Sequence, residues 1–243
     1  MKHLSFTLLF VLIYPALIGQ ISSGAKTNQF FDLAGTVGKS QGTIAASYVH
    51  NWRIGKKRKL EVGVGLRWTS YIGTKTDFTT APARLARSNS TPFLIVFAGQ
   101  ETENWDTLTI QRPFINSLNL TANFGYNINK TWSLGFNIDL IGFSFGRKGS
   151  GILTSNGKTK NEPSAKPVPF NILLTGDLDR GSLNSEYFVR YRLNEKWALK
   201  AVYQFYFGEY ETNTVNQIAP DGTEVYRFRN KANTLGLGIS YHF

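Results

Sequence analysis

Cysteine is absent from the 243 residues, and charged side chains are scarce. Without cysteine the chain can form neither disulfides nor thiolate metal sites, and it has no thiol nucleophile. Charged residues make up 18% of the chain, against roughly 25% in ordinary soluble domains. The 3 histidines are scattered along the sequence. We therefore expect no metal site and no cofactor.

Long apolar runs are also lacking, except at the beginning of the chain. There Lys2 and His3 precede an almost unbroken apolar run from Leu4 to Ile18, which is typical of a secretory signal peptide. The run is shorter than the roughly 20 residues of a membrane-spanning helix. We predict a signal peptide over residues 1–19, with cleavage possible as late as 25, and one domain over 20–243. Because no later run is as long, a membrane could be crossed only by a closed barrel.

Apolar and polar residues alternate through most of that domain. In the last segment Leu235, Leu237 and Ile239 occupy one face of the predicted strand, and small or polar residues occupy the other. A period of two is the signature of a strand with two different faces. The same pattern predicts eight antiparallel strands, at 30–38, 43–53, 60–72, 118–128, 132–145, 183–193, 197–208 and 234–243.

Short turns alternate with long connections between these strands. Tight turns are predicted at 55–59, 129–131 and 194–196, and long loops at 73–115, 147–182 and 209–231. Outer-membrane barrels have short periplasmic turns and long extracellular loops. The sequence therefore predicts an all-β, antiparallel, up-and-down transmembrane β-barrel of eight strands. Ten strands would result if Phe93–Phe97 and Thr107–Gln111 also spanned the membrane, although these two segments could instead form a hairpin outside it.

Aromatic residues cluster near the predicted strand ends, as they do where a barrel meets the two membrane interfaces. This distribution favours a membrane barrel over the alternative of a soluble, lipocalin-like binding barrel in the periplasm, which shares the period of two. The residues predicted to form the aromatic girdle are Trp52, Trp68, Tyr126, Trp132, Tyr191, Trp197 and Tyr241.

The opposite strand face carries charges that a narrow barrel would enclose. An eight-stranded barrel has an interior just wide enough for side chains to fill it, and buried charges must be paired. We therefore predict an interior ion-pair ladder, which could serve either as a narrow ion path or as a satisfied polar core. Its predicted members are Glu61, Arg67, Asp139, Glu186, Arg190, Arg192 and Lys200.

The chain stops on an aromatic residue, Phe243, preceded at every second position by Leu237, Ile239 and Tyr241. In this the sequence resembles the bacterial outer-membrane β-barrels, and most of all the small, porin-like barrels of the Bacteroidota. The resemblance is specific to the final strand and covers the rest of the chain only in architecture. It implies a Gram-negative cell outer membrane as the location, and it implies that these four residues are the signal read by the barrel-assembly machinery.

Three classes of function remain open from the sequence. The first is a structural or narrow-pore barrel, and the second is a surface-binding barrel that uses its long loops. The third is an outer-membrane lipid-modifying enzyme that would depend on His50 or His242. Ser240 lies beside His242 with no evident acid, although a catalytic triad requires one, so we expect no catalytic site.

The expected partners follow from the location and from the net charge of +11. They are outer-membrane lipid, the assembly machinery, and lipopolysaccharide, whose phosphates Arg and Lys bind well. Nucleic acid, which basic chains often bind, is not expected of an exported barrel. The basic residues predicted in the outer loops are Arg84, Arg87, Arg112, Arg147, Lys148, Lys158, Lys160, Arg227, Arg229 and Lys231.

Overall fold

The computed structural model describes residues 26–91 and 94–243. The predicted signal peptide over residues 1–19, and the later cleavage position at 25, lie outside the described residues. Among the residues that are described, no helix is long and apolar enough to cross a membrane.

Antiparallel β-strands form nearly all of the regular structure. Among the described residues, one short α-helix, α1 (Ala83–Ala86), and 3₁₀ turns at Leu94–Phe97, Thr102–Asn104 and Gly176–Leu178 lie between them. The strands are β1 (Thr27–Gly38), β2 (Gln41–Ile54), β3 (Leu60–Gly73), β4 (Lys75–Thr80), β5 (Thr107–Gln111), β6 (Phe114–Asn127), β7 (Trp132–Gly146), β8 (Gly149–Ser155), β9 (Lys158–Pro167), β10 (Phe170–Ile172), β11 (Leu183–Arg192), β12 (Trp197–Glu211), β13 (Gln217–Ile218), β14 (Glu224–Val225) and β15 (Arg227–His242).

Hydrogen-bonded pairing connects about 12 of these strands into a ring. The order is β1, β2, β3, β6, β7, β11, β12, β9, β8, β5, β4 and β15, which returns to β1. Strands β12 and β15 also pair directly, from Trp197–Tyr241 to Glu211–Arg227. This pair divides the ring into two circuits that share β12 and β15.

The larger circuit, which we call the main ring, contains β1, β2, β3, β6, β7, β11, β12 and β15. The smaller circuit, the upper ring, contains β4, β5, β8 and β9 together with the far ends of β12 and β15. The upper ring starts at the level where β1 ends and β11 begins. Beyond those ends β15 pairs with β4 at Phe228 and Arg229, and β12 pairs with β9 at Tyr210 and Glu211.

The walls of the main ring are polar inside and apolar outside. Along β15, Leu235 and Leu237 are 66% and 74% exposed, whereas Thr234 and Ser240 are buried. The glycines and small polar residues between the apolar positions thus face the interior. This distribution is the inverse of a water-soluble protein, in which large apolar residues are mostly inside.

The tight turns are confirmed, and asparagine closes two of them by the same chemistry. Asn129 Oδ1 accepts hydrogen bonds from the backbone N–H groups of Thr131 and Trp132, both at 2.8 Å. Asn194 Oδ1 accepts from the two equivalent N–H groups at 2.9 Å each. A side-chain amide that binds the backbone two residues on is a common means of making a chain turn sharply.

The long segments predicted as loops are wrong in part, because they contain the strands of the upper ring. Residues 73–115 include β4 and β5, and residues 147–182 include β8, β9 and the short β10. Their inward positions are apolar and fully covered, as at Phe78, Ile110 and Leu153. Frequent Gly, Ser, Thr and Asn in these segments obscured the alternation. In residues 209–231 the connection is shortened from both sides, because β12 extends to Glu211 and β15 begins at Arg227.

The strand predicted at Phe93–Phe97 is also wrong, since Leu94–Phe97 forms a 3₁₀ turn. Thr107–Gln111 is a strand, but it pairs with β4 and β8 in the upper ring. Both edges of β5 are therefore paired, and neither is available to the apolar segment Leu94–Phe97. Phe97 is 87% exposed.

Candidate functional site

The interior of the main ring holds a cluster of buried charges from strands far apart in sequence. Lys200 Nζ lies 2.6 Å from Glu186 Oε2 and 3.1 Å from Asp32 Oδ2. Arg190 donates to both oxygens of Asp32, at 3.2 and 3.1 Å, and to Ser240 Oγ at 2.8 Å. These side chains meet because each occupies an inward position on β1, β11, β12 or β15.

A second group of charges lies on the neighbouring wall. Arg67 donates to Asp139 Oδ1 through Nε at 2.9 Å and through Nη2 at 2.6 Å, and its Nη1 is 3.6 Å from Glu186 Oε1. The side chain of Arg67 also donates to the Asn137 side chain and to the Asn184 carbonyl. Arg67 and Asp139 are both 0% exposed.

The two groups share Glu186 and balance in charge. Three acids, Asp32, Asp139 and Glu186, face three bases, Arg67, Arg190 and Lys200, so the formal charge of this set is zero. A buried charge without a partner costs several kcal/mol. Mutual pairing is thus what permits six ionisable side chains to occupy one closed interior.

A separate carboxylate lies nearer the short turns. Glu61 accepts from Asn28 at 2.9 Å, from Asn127 at 2.9 Å and from Asn51 at 3.2 Å, and Arg53 Nε is 3.1 Å away. Asparagine amides and one arginine therefore satisfy both carboxylate oxygens. Glu61 is not bonded to the other predicted members of the ladder.

The structure brings five of the seven predicted polar residues into one network, namely Arg67, Asp139, Glu186, Arg190 and Lys200. Glu61 forms its own group, and Arg192 is half-buried at the short-turn end with no ion pair among the described residues. Sequence reasoning missed Asp32 and Arg53. Asp32 lies on the same face of β1 as Ala34 and Thr36, so the alternation could have identified it.

Layers of different chemistry follow one another along the inward face of β12. After Lys200 and the buried Val202 comes Gln204, whose Oε1 accepts from Thr36, Thr43 and Thr234 at 2.8, 2.7 and 3.1 Å. Next comes Tyr206, whose ring stacks on Tyr71 with centroids 4.9 Å apart and planes 14° apart. The charged layer is thus followed by a hydroxyl layer and then by aromatic rings.

The aromatic rings belong to an apolar cluster that we call the lid. The lid continues from the main ring into the upper ring, and its buried residues are Tyr71, Phe78, Leu108, Ile110, Ile115, Leu153, Ala165, Tyr206, Tyr210, Val215, Phe228 and Ala232. Packing of this kind leaves few voids as large as a water molecule. The end of the main ring that carries the upper ring is therefore filled with apolar side chains.

Carboxylates hold the upper ring and its connections together. Glu209 accepts from Arg229 at 3.0 and 2.7 Å and from Arg227 at 3.1 Å. Glu162 accepts from the backbone N–H groups of residues 213, 214 and 215 at 3.1, 2.9 and 3.2 Å, and from that of Ser164 at 2.9 Å. Burial raises the pKa of Glu162, but these hydrogen bonds outweigh burial and hold its pKa below the ordinary value.

The predicted girdle residues lie mostly at one level of the outer surface. Six of them, Trp52, Tyr126, Trp132, Tyr191, Trp197 and Tyr241, are at the short-turn end of their strands. Rings from adjacent strands touch there: Trp132 meets Tyr191, and Trp197 meets Tyr241, each with centroids 4.8 Å apart. Trp68 lies within β3, toward the other end.

His50 and His242 are on opposite sides of the wall. His242 is buried inside, with Nδ1 2.9 Å from Asn28 Oδ1, whereas the ring of His50 packs against exposed Trp52 at 4.8 Å. Ser240 accepts from Arg190, and no hydrogen bond joins it to His242 among the described residues. Within 26–91 and 94–243 there is also no group of three or more residues suited to hold a metal ion.

No family model matches the sequence, and no curated protein matches it. Several solved structures of bacterial outer-membrane β-barrel proteins are similar to this chain. Neisserial surface protein A has a TM-score of 0.36 at 10% identity, over 90% of this chain and 98% of that one. A major outer membrane protein of Thermus thermophilus has 0.36 at 11%, over 90% and 100%. Ail of Yersinia pestis has 0.34 at 10%, over 90% and 99%.

Proposed function

We propose that the chain is an integral outer-membrane β-barrel, that its eight spanning strands are those of the main ring, and that it presents the upper ring at the cell surface without conducting solutes. The observation that carries this proposal is the distribution of side chains on the wall of the main ring, which is apolar and exposed on the outside and holds a charge-balanced network on the inside. Its function is then that of a structural or surface-binding barrel.

The dimensions of the main ring suit a membrane. A transmembrane β-strand needs about 9–11 residues tilted by about 45°, and the strands of the main ring have between 10 and 16 residues. The row of aromatic rings at the short-turn end suits one membrane interface. This orientation places the short turns in the periplasm and the upper ring outside.

The lipocalin-like alternative is disfavoured by the same wall. A soluble barrel would have to expose Leu33, Val64, Leu199, Leu235 and Leu237 to water together, each at 49% or more. Soluble monomers rarely expose a continuous apolar patch larger than a few hundred Å². Hydrocarbon around the ring removes that penalty.

A closed interior is favoured over a narrow ion path. An ion that moved through the main ring would have to break the Arg67–Asp139 and Lys200–Glu186 pairs and then pass the lid, which offers it apolar rings in place of water. Transfer of an unpaired charge into such surroundings is strongly unfavourable. Of the two roles predicted for these charges, an ion path or a polar core in which they pair with one another, we therefore propose the polar core.

The partners that we propose are lipid, lipopolysaccharide and the barrel-assembly machinery. Of the basic residues expected to meet lipopolysaccharide phosphates, Arg84 pairs with Asp221, and Arg227 and Arg229 pair with Glu209. The exposed cations that remain for this role include Arg112, Arg147 and Lys148. The assembly signal would be the outward row of β15, Leu237, Ile239 and Tyr241, with Phe243 packed on Tyr241 at 5.6 Å.

Gel mobility of isolated outer membranes, followed by planar-bilayer recording, tests this proposal. We expect the protein in the outer-membrane fraction, a mobility shift that depends on boiling, and no single-channel steps above background. A soluble periplasmic protein without the shift would refute the membrane placement. Regular conductance steps from the purified barrel would refute the closed interior.

A further inference from the structure

A group of basic side chains lies at the short-turn end of the main ring. A cavity of about 780 Å³ opens there, and six basic side chains line it: Arg53, Lys57, Arg58, Lys59, Lys130 and Arg192. They come from three different turns, which the ring brings together around its mouth. Glu195 is the one carboxylate among the residues described on the wall of this basic cleft.

In the part of the chain that the structure describes, several of these cations have no acidic ion-pair partner. Arg53 pairs with Glu61, and Lys59 donates to the Ile128 carbonyl at 3.0 Å. Arg192 and Arg58 are half-buried, yet neither forms an ion pair among the described residues. Like charges held together in a concave, partly desolvated mouth raise the local positive potential and attract anions. The ion-paired interior next to the cleft shows the opposite arrangement, in which each cation has its acid.

The neutral groups of the cleft are donors as well. The Oδ1 atoms of Asn129 and Asn194 are occupied by backbone N–H groups of their own turns, so the amide Nδ2 groups remain to donate hydrogen bonds. Both residues line the cleft. A wall of guanidinium, ammonium and amide donors suits phosphate or carboxylate oxygens, which arginine can bind through two parallel hydrogen bonds.

From this arrangement we propose that the basic cleft is a binding site for a multivalent anion, a ligand that carries two or more phosphate or carboxylate groups. The site is at the opposite end of the molecule from the upper ring and from the outer-loop cations expected to meet lipopolysaccharide. Only its placement in the periplasm rests on the proposed function. Binding itself does not, because it can be measured on the isolated barrel.

The experiment is calorimetric titration of inorganic triphosphate into the full chain in a nonionic detergent. The test variant Lys57→Gln/Lys130→Gln/Arg192→Gln removes one cation from each turn. The control variant Lys39→Gln/Lys75→Gln/Arg180→Gln removes the same charge from exposed positions at the other end. We expect the test variant to bind at least about tenfold more weakly, because charge-assisted hydrogen bonds are lost, and the control to bind as the wild type does.

Two further arms exclude other causes. Arg192→Gln should weaken binding more than Arg192→Lys, which retains the charge but not the two-pronged geometry, and a boiling-dependent gel shift should show that each variant is folded. Titration in cardiolipin vesicles, compared with phosphatidylcholine vesicles, identifies the natural source of the anion, because cardiolipin carries two phosphates in one molecule. Competition by cardiolipin would assign the site to a lipid with two phosphates, and its absence would assign it to a soluble anion. No binding to the wild type, or an equal loss in the control, would overturn the proposal.

Discussion

Arg67 is the side chain whose removal tests the interior most sharply. It is 0% exposed and is the only cation within ion-pair distance of Asp139 among the described residues. Replacement by methionine keeps most of the volume but leaves Asp139 buried with hydrogen bonds from Asn119 and Asn184 alone. Removing one partner of a buried pair costs about 3–5 kcal/mol, so we expect Arg67→Met to lower the free energy of unfolding by that amount.

The chain offers a matched control for this variant. Arg84 and Asp221 form an ion pair of 2.7 Å, close to the 2.6 Å of Arg67 and Asp139, but their side chains are 45% and 53% exposed. Exposed pairs contribute about 0–1 kcal/mol. Arg84→Met should therefore cost less than about 1 kcal/mol, although the distance between the charges is nearly the same.

The assay is urea unfolding of the barrel in lipid vesicles, followed by tryptophan fluorescence. The double variant Arg67→Met/Asp139→Asn removes the stranded charge as well, so part of the loss should be recovered and the two substitutions should not be additive. Equal costs for Arg67→Met and Arg84→Met, or strict additivity in the double variant, would refute the claim that Asp139 depends on Arg67.

Three other substitutions test separate parts of the molecule. Leu237→Arg places a charge on the outer face of β15 near the middle of the strand, and it should destabilise the barrel in vesicles by about 2–4 kcal/mol if lipid covers that face; a cost within error of zero would refute this. Glu162 has a pKa in the folded protein below its ordinary value of 4.5. The stabilisation that its ionised carboxylate gives to the folded protein is therefore complete above pH 4.5 and is lost as the pH falls through the folded pKa. Hydrogen exchange at residues 213–215, corrected for intrinsic rates, should therefore accelerate below pH 4.5 in the wild type; Glu162→Gln should be fast at neutral pH already, and unchanged protection in this variant would contradict the assignment. Deletion of Phe243 should reduce the amount of heat-modifiable protein in outer membranes, and an undiminished amount would show that assembly does not use this residue.

The main ring could be predicted from the sequence because apolar and polar residues alternate along most of its strands. An apolar outer face and a polar interior impose a period of two, and tight turns with asparagine separate the strands. Seven interior charges were predicted in the same way, although the pattern alone could not show that Glu61 pairs with Arg53 or that Arg192 has no ion pair among the described residues. Those outcomes depend on which strands become neighbours across the ring.

The upper ring could not be predicted from the same signal. Its strands bury apolar residues such as Phe78 and Leu153 on one side only, among many Gly, Ser and Thr residues that are equally common in loops. Its closure also depends on the ends of β12 and β15, which extend beyond their neighbours in the main ring. The apolar segment around Leu94–Phe97 led to the opposite error, because it was predicted as a strand and forms a 3₁₀ turn. Strand propensity alone does not make a strand where the neighbouring β5 has no free edge to pair with.

Nitroxide accessibility on single-cysteine variants tests the central claim most directly, and the cysteine-free sequence makes this possible without background. Labels at positions 235, 237 and 239 in lipid vesicles should collide with dissolved oxygen and be shielded from a water-soluble nickel complex. Labels at 234 and 240 should be shielded from both, because the interior is filled. Outward labels that are open to the nickel complex would contradict the membrane placement, and inward labels that are open to it would contradict the closed interior.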